Sequence, residues 1–250
     1  MARLRPRAWD AAAARGGTPY RDLAKREEPG SSGQRKRAVD AAIFGLMGLL
    51  IAFTFSGAAS RFDERRHLII QEANAIGTFY LRLDLLPAES QGTLREKMRQ
   101  YVDARLAFYR KLSDQDEAKS EMERSSTLQL DIWRDAVADS RRAGLPAVMT
   151  LVLSAANDMI DITTTRSMAL KMHPPPIIFA MLAVLVLVSS LLAGYGMAGS
   201  RTRNWLHMLI FAAMMSIAIY VILDLEYPRF GLIRVDATDQ VLVELRQSMK

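Results

Sequence analysis

Three long apolar blocks interrupt an otherwise charged sequence. They are residues 41–60, 174–200 and 205–223, runs of 20, 27 and 19 residues without Asp, Glu, Lys or Arg. At a rise of ~1.5 Å per residue, twenty helical residues cover ~30 Å, the thickness of a bilayer core. A helix in a soluble core keeps a polar face for water, and these blocks keep none. The pattern therefore predicts an all-α, polytopic membrane protein with three transmembrane helices, over 38–60, 174–200 and 205–223. The remaining polar chain divides into an arm (1–37), a long insert (61–173) and a C-terminal tail (224–250).

The insert reads as helix almost throughout. The first apolar block passes without a Gly-Pro break into a charged segment, 61–86, whose seam is Phe62, Arg66, Ile69, Ala73, Ile76, Tyr80 and Leu83. These steps of four and three are the a/d pattern of a helix packing along others. The membrane helix thus continues as a stalk that would project roughly 40 Å into water. Pro87 ends it. A second helix, opening near Ser90, presents Leu94, Met98, Tyr101, Phe108 and Leu112, with Val102 and Tyr109 alongside. Asp114 to Lys119 reads as a polar turn, and a third helix turns Met122, Leu130, Trp133 and Val137 inward before Gly144 and Pro146. The fourth uses Val148, Val152, Ala155, Met159, Ile162 and Ala169 and returns to the membrane at Pro174-Pro175-Pro176. Four seams with short breakers predict an antiparallel helical bundle between the first and second spans. The tail carries a short amphipathic helix with Val241, Leu242, Leu245 and Met249 on one face, capped by Thr238 or Asp239.

Charge sets the topology. Residues 1–37 hold ten Lys/Arg against four Asp/Glu and several Gly-Pro-Ser breakers, a basic disordered arm suited to anionic lipid headgroups. Nucleic-acid binding is set aside, since the arm has one Trp, one Tyr and no recognisable module. The arm and the loop Arg201-Thr202-Arg203-Asn204 fall on one side of three spans, which the positive-inside rule assigns to the cytoplasm of a bacterial inner membrane. Residues 61–173, with 17 basic and 17 acidic side chains, and the tail then lie outside, although Arg61, Arg65 and Arg66 pull the other way. With only four residues between them, the second and third spans are expected to form a tight hairpin.

Chemistry is sparse. There is no cysteine, which excludes thiol catalysis, disulfides and zinc-thiolate sites. His67, His173 and His207 have no metal-ligand spacing, and His207 sits near the end of a span where it can face headgroups. Gly194-Tyr-Gly196-Met-Ala-Gly199 matches G-x-G-x-x-G but lacks the strand-turn-helix context, so these small residues are read as helix-packing positions. Gly45 and Gly48 invite the same reading or a place along a pore. Asp224 and Glu226 leave the last span on a carboxylate pair, a placement that tunes cations at a pore mouth. Glu72 and Asn74 beside the stalk seam are a regulatory or salt-bridge site. No nucleophile elbow, phosphate loop or carboxylate dyad is present, so no enzyme activity, metal or cofactor is expected.

Over roughly 38–249 the chain resembles the bestrophin-like membrane domain of many bacterial and plant proteins. The likeness rests on Gly45 and Gly48, Arg65, Glu72-Ala73, Leu86-Pro87, Tyr101, the later pair of spans, and Asp224, Pro228 and Gly231. Where such proteins carry a further membrane helix before the first span, this chain has its basic arm. The resemblance implies a homo-oligomeric ion channel or channel-like protein, and it transfers no functional residue. It also implies a cytosolic insert, against which the charge argument is preferred. The alternative is a non-conducting membrane-anchored sensor or scaffold, or an accessory subunit of a larger membrane complex.

Overall fold

The computed structural model describes residues 31–112, 114–197, 205–229 and 231–249. The N-terminal arm before residue 31, the loop with Arg201 and Arg203, and Gly199 lie outside the described residues. Among those described, seven α-helices and one 3-10 turn make the fold: α1 (Ser31–Arg82), the turn Leu83–Leu85, α2 (Ala88–Arg110), α3 (Gln115–Ala143), α4 (Pro146–Lys171), α5 (Pro176–Met197), α6 (Trp205–Glu226) and α7 (Asp236–Ser248). The chain is an all-α polytopic membrane protein. Three helices, carried by α1, α5 and α6, are long and apolar enough to cross a bilayer.

Membrane span and stalk are one uninterrupted helix of 52 residues, about 80 Å long at the usual rise. Nothing in 57–66 breaks it, because Gly57 lies mid-helix and charges follow at once to solvate the emerging end. The boundaries of the bundle helices follow from their terminal chemistry. Asp114 accepts from the amides of Asp116 and Glu117, both at 3.2 Å, so α3 begins inside the expected polar turn. Its first turn is acidic, its last carries Arg141 and Arg142, and Gly144 closes it in the left-handed conformation (φ 68°). Pro146 then starts α4 at a position where a missing N–H costs nothing.

The bundle packs around Ile69, Ile76, Phe79, Leu83, Leu94, Met98, Tyr101, Ile132, Val152, Met159 and Leu242. α1 lies along α4, α4 along α3, and α3 along α2. Between α2 and α1 sits α7, the expected tail helix, so the bundle has five members. Leu242 is fully buried and Met249 nearly so, with Val241 and Leu245 partly covered, as the amphipathic pattern predicts. Leu245 reaches the α1 backbone at Gly77, where a Cβ would stand 3.4 Å from its Cδ1. The cap differs from expectation: α7 begins at Asp236 with no side-chain cap, and Asp239 is engaged by arginines instead.

The inward registers of α3 and α4 also differ. On α3 the buried line is Ala118, Ser125, Ile132, Ala136 and Asp139, whereas Leu130 is 65% exposed. On α4 it is Val152, Ala155, Met159, Thr163 and Arg166, in place of Ile162 and Ala169. Both lines keep the three-four spacing. Small residues on α3 allow close approach, and buried polar ones on α4 find partners described below.

In the membrane, α1 lies between α5 and α6, and those two helices scarcely touch. The loop of the expected hairpin lies outside the described residues; between the described parts of α5 and α6 the packing runs mainly through α1, with Phe44 meeting Phe211 edge-on at 6.1 Å. A Cβ on Gly194 or Gly196 would meet nothing within 4 Å, so these glycines bring no helices together within the chain. At most 11% of any apolar window is buried by the rest of the protein. The lateral surface is left for lipid or for other copies.

Because Leu242 fills the seam between α1, α2 and the core, truncating it leaves a void that the long helices close poorly. Leu242→Ala should lower stability by about 2–5 kcal/mol, read as an earlier thermal melt and faster proteolysis after residue 226. A wild-type melt would show that α7 is a peripheral tail.

Candidate functional site

Two linked polar clusters stand out, one inside the bundle and one at the membrane boundary. In the first, Glu72 of α1 is completely buried. One carboxylate oxygen accepts from Arg105 Nε of α2 at 2.7 Å, and the other accepts from Arg166 Nη1 of α4. Arg166 also donates to Asp239 of α7 at 2.8 Å, and Arg229 donates to the second oxygen of Asp239 at 2.8 Å. The Tyr109 ring lies against three of these guanidinium groups, at 3.6 Å from Arg166, 4.8 Å from Arg229 and 5.0 Å from Arg105. Such stacking suits the planar, weakly hydrated guanidinium.

Burial by itself would raise the Glu72 carboxyl, but Arg105 and Arg166 outweigh it and hold it below the usual carboxylate range. Burial pushes the Tyr109 phenol up. Tyr101 is pushed up to about 12 by burial and stays neutral. Its hydroxyl pairs with Thr163 at 2.8 Å, and Gln129 donates to both, so one polar node joins α2, α3 and α4.

The second cluster closes the boundary. Arg65 is buried and donates to Ala169 O (3.2 Å) and Met172 O (3.0 Å) at the end of α4, and to Glu226 O (2.8 Å) at the end of α6. One guanidinium thus satisfies carbonyls at two helix C-termini, where the helix dipole favours positive charge. Arg61 holds the fully buried Glu226 carboxylate with Nε at 2.9 Å and Nη2 at 2.8 Å. His173 Nδ1 lies 3.0 Å from the same carboxylate, its ring stacked on Tyr227.

Asp224 accepts from the amides of Leu232 and Ile233, the latter at 2.8 Å. This folds 227–233 back onto α6. A Cβ on Gly231 would coincide with the Asp224 carboxylate, so the turn needs glycine there.

The residues singled out from sequence are thus placed as follows. Asp224 and Glu226 are both buried and both occupied by protein donors, at the level where the last span ends. Glu72 and Asn74 are not brought together, since Glu72 faces the core and Asn74 faces outward. Gly45 and Gly48 are exposed, and a Cβ on either would meet nothing within 4 Å. His67 and His207 are exposed and His173 joins Glu226. Among the described residues no group of three His, Asp or Glu side chains is placed to hold a metal ion. Sequence reasoning missed Arg105, Arg166 and Arg229 and misassigned Asp239. The signal was an arginine at a seam position, as with Arg166 seven residues after Met159.

The bestrophin-like domain model matches residues 38–239. The chain belongs to the bestrophin-like family. No curated protein matches it. Solved structures of a bacterial bestrophin homolog from Klebsiella pneumoniae share its fold. One mutant of that protein superposes with a TM-score of 0.66 at 17% identity, covering 85% of this chain and 87% of that one. A second mutant gives 0.66 at 13% identity, covering 84% and 88%. The zinc-phased form gives 0.63 at 14% identity, covering 84% and 87%. At such identities the likeness shows the fold. This bestrophin-like protein is accordingly a multi-pass membrane protein that shares its fold with a bacterial bestrophin homolog.

Glu72→Gln leaves two buried guanidinium groups short of a counter-charge. The substitution should cost on the order of 3–5 kcal/mol at neutral pH, measured by denaturation in detergent. The sign with pH follows from the lowered carboxyl: its contribution is full above the unfolded value and is lost as pH falls through the lower folded one. The gap between wild type and variant should therefore begin to narrow below about pH 4 and go on narrowing as pH falls further. A gap that stays constant down to pH 2 would show that the Glu72 charge is not what holds the bundle.

Proposed function

We propose that this bestrophin-like protein is a homo-oligomeric ion channel whose pore is lined by α1. The carrying observation is an uncovered stripe along the whole of that helix. Gly45, Gly48, Ala52 and Ser56 are exposed in its membrane part, and Asp63, His67, Ile70, Asn74 and Leu81 continue the same face along the stalk. The spacing of threes, fours and sevens keeps them within one side of a helix. α5, α6, α4 and α7 all pack on the other sides. That face is small and mildly polar at Gly45, Gly48, Ala52 and Ser56, with Leu49 and Phe53 exposed beside them, and its small residues are poorly matched to acyl chains. It suits close approach of several copies about an axis, with a water-filled lumen between them. Family membership and the fold shared with bacterial bestrophin homologs support the same reading.

In this proposal Asp224 and Glu226 shape the pore mouth through the turn and arginines they hold. Glu72 fixes the stalk while Asn74 faces the lumen. The arm 1–37 touches anionic headgroups on the cytoplasmic side of the inner membrane, and the bundle is extracytoplasmic. A second reading has one observation of its own. Leu130 is 65% exposed beside Trp133 and Ile160, an apolar patch on the bundle flank that suits a neighbouring subunit, whether a copy or another membrane protein. On that reading the chain is a scaffold that conducts nothing.

Proteoliposomes containing the purified protein should pass ions, and detergent-solubilised protein should run as a homo-oligomer by light scattering. Gly48→Leu should cut flux at least tenfold with the assembly intact. Sealed liposomes with a monomer would reject the channel and leave the scaffold. The orientation has a separate test, since the chain has no cysteine. A single Leu130→Cys should react with a membrane-impermeant maleimide in intact spheroplasts. Labelling only after lysis would place the bundle in the cytoplasm.

A further inference from the structure

A half-open cleft of about 280 Å³ runs between α1 and α5 where the spans approach the bundle. Leu50 and Phe53 of α1, Ile178, Phe179 and Met181 of α5, and Ile222 of α6 make it apolar. Thr54 also lines it, but its hydroxyl is turned onto the helix backbone, donating to Leu50 O at 2.8 Å and Ile51 O at 3.0 Å. At about 100° per residue, these α1 positions stand roughly a third of a turn from the stripe of Gly45, Gly48, Ala52 and Ser56. The cleft therefore belongs to another side of α1.

Of the residues that line it, only Arg61 is charged. Its Nε and Nη2 hold Glu226 at 2.9 and 2.8 Å, so that edge of the guanidinium is committed to the protein. Nη1 lies over Gly57, 3.3 Å from where a Cβ would stand, and has no protein acceptor among the described residues. The Arg61 side chain is a third exposed, whereas Glu226 is fully buried. The cleft is thus amphipathic along the span. Phe53 and Leu50 lie roughly two and three helical turns deeper than Arg61, which stands with Pro174 at the boundary end.

We propose that this cleft holds one acyl chain of a membrane phospholipid, whose ester or phosphate oxygen accepts from Arg61 Nη1. Acyl chains are as apolar as the cleft walls, so the hydrophobic effect alone selects no occupant here. Close packing and the one hydrogen bond decide what stays. An N–H at the bilayer boundary is costly without an acceptor, and long basic side chains at span ends reach for the interfacial level where lipid oxygens lie. With one edge of the guanidinium taken by Glu226, the contact is a single hydrogen bond, and the chain distinguishes a phospholipid from a free anion. Glu64, exposed and three residues beyond Arg61 on the same side of α1, disfavours a head of net negative charge. A zwitterionic phospholipid fits both groups. Bound there, it bridges α1 to α5 beside the Arg61–Glu226 pair and stabilises the boundary cluster. The site does not depend on conduction.

The test uses the full chain purified in dodecyl maltoside, with palmitoyl-oleoyl phosphatidylethanolamine as the probe. Native mass spectrometry should show one retained lipid per chain, and titration with the lipid should raise the melting temperature in a saturable manner. Dihexanoyl phosphatidylethanolamine, with the same head on chains too short to fill the cleft, should do neither. Ile178→Trp fills the cleft from α5 and leaves Arg61 in place. It should raise the half-saturating concentration about tenfold or more. Leu191→Trp, at a 73% exposed position further along the same helix, should leave it unchanged. Arg61→Gln should weaken retention in the same direction; if it unfolds the boundary, Ile178→Trp decides. No saturable effect, an effect equally strong in Ile178→Trp, or equal retention of the short-chain lipid overturns the proposal. Loss of an oligomer in Ile178→Trp with lipid retention unchanged overturns it too, and assigns the cleft to a second copy.

Discussion

A carboxylate inside a helical seam is the constraint on which the bundle is arranged. Glu72 faces inward on α1 with no access to water, so its charge must be met by protein. Two arginines meet it, one from α2 and one from α4, and the second arrives with its own partner on α7. Buried ion pairs add little net stability over apolar packing, because desolvation consumes most of the attraction. What they impose is register. A seam of Leu, Ile and Met could slide by a turn at small cost, but Glu72 can reach Arg105 and Arg166 in one alignment of four helices. The Tyr109 ring packed against three guanidinium groups adds a steric requirement to the electrostatic one.

The boundary cluster solves a different problem with the same residue type. Two helices, α4 and α6, end where the chain meets the membrane surface, and each leaves carbonyls without intrahelical partners. Arg65 takes both ends, and Glu226 neutralises part of the charge so created while Arg61 holds it from the other side. The junction is therefore stiff at the level where a continuous α1 leaves the bilayer. α1 has no break at this level, and Arg65 and the Asp224–Gly231 turn tie the ends of α4 and α6 to it.

Much of this was legible in the sequence, for reasons that can be named. Apolar blocks long enough to span a bilayer are unambiguous, and the stalk seam from Ile69 to Leu83 held because large apolar side chains occupy it. The amphipathic face of α7 was readable for the same reason. On α3, Leu130 attracted the reading inward because it is large, while Trp133 does pack, partly buried, against the core. The true interior there is built from Ala118, Ser125 and Ala136, whose small size is what lets α3 approach its neighbours. On α4 the pattern was lost at Thr163 and Arg166, polar residues whose partners lie on other helices. An arginine becomes recognisable as buried only when its carboxylate is known. Asp239 was mistaken for a cap because its position fits one, and the arginines that claim it are 73 and ten residues away.

Glu72 and Asn74 illustrate how a single helix serves two surfaces. Two residues apart, they are turned by about 200° from one another, so the first enters the core and the second the open stripe. The stripe is the face of α1 that neither bundle nor spans require. In its membrane part it holds Gly45, Gly48, Ala52 and Ser56, with Leu49 and Phe53 exposed beside them, whereas the exposed residues of α5 and α6 are mostly large and apolar. Small residues lower the energy of a helix in lipid only when another backbone or water replaces the missing side chains. Within one chain nothing does so at Gly45 or Gly48. The rigid fixation of α1 through Glu72 and Arg65 thus acquires a purpose: it orients one unsupported face, along the whole length of the longest helix, toward whatever completes it.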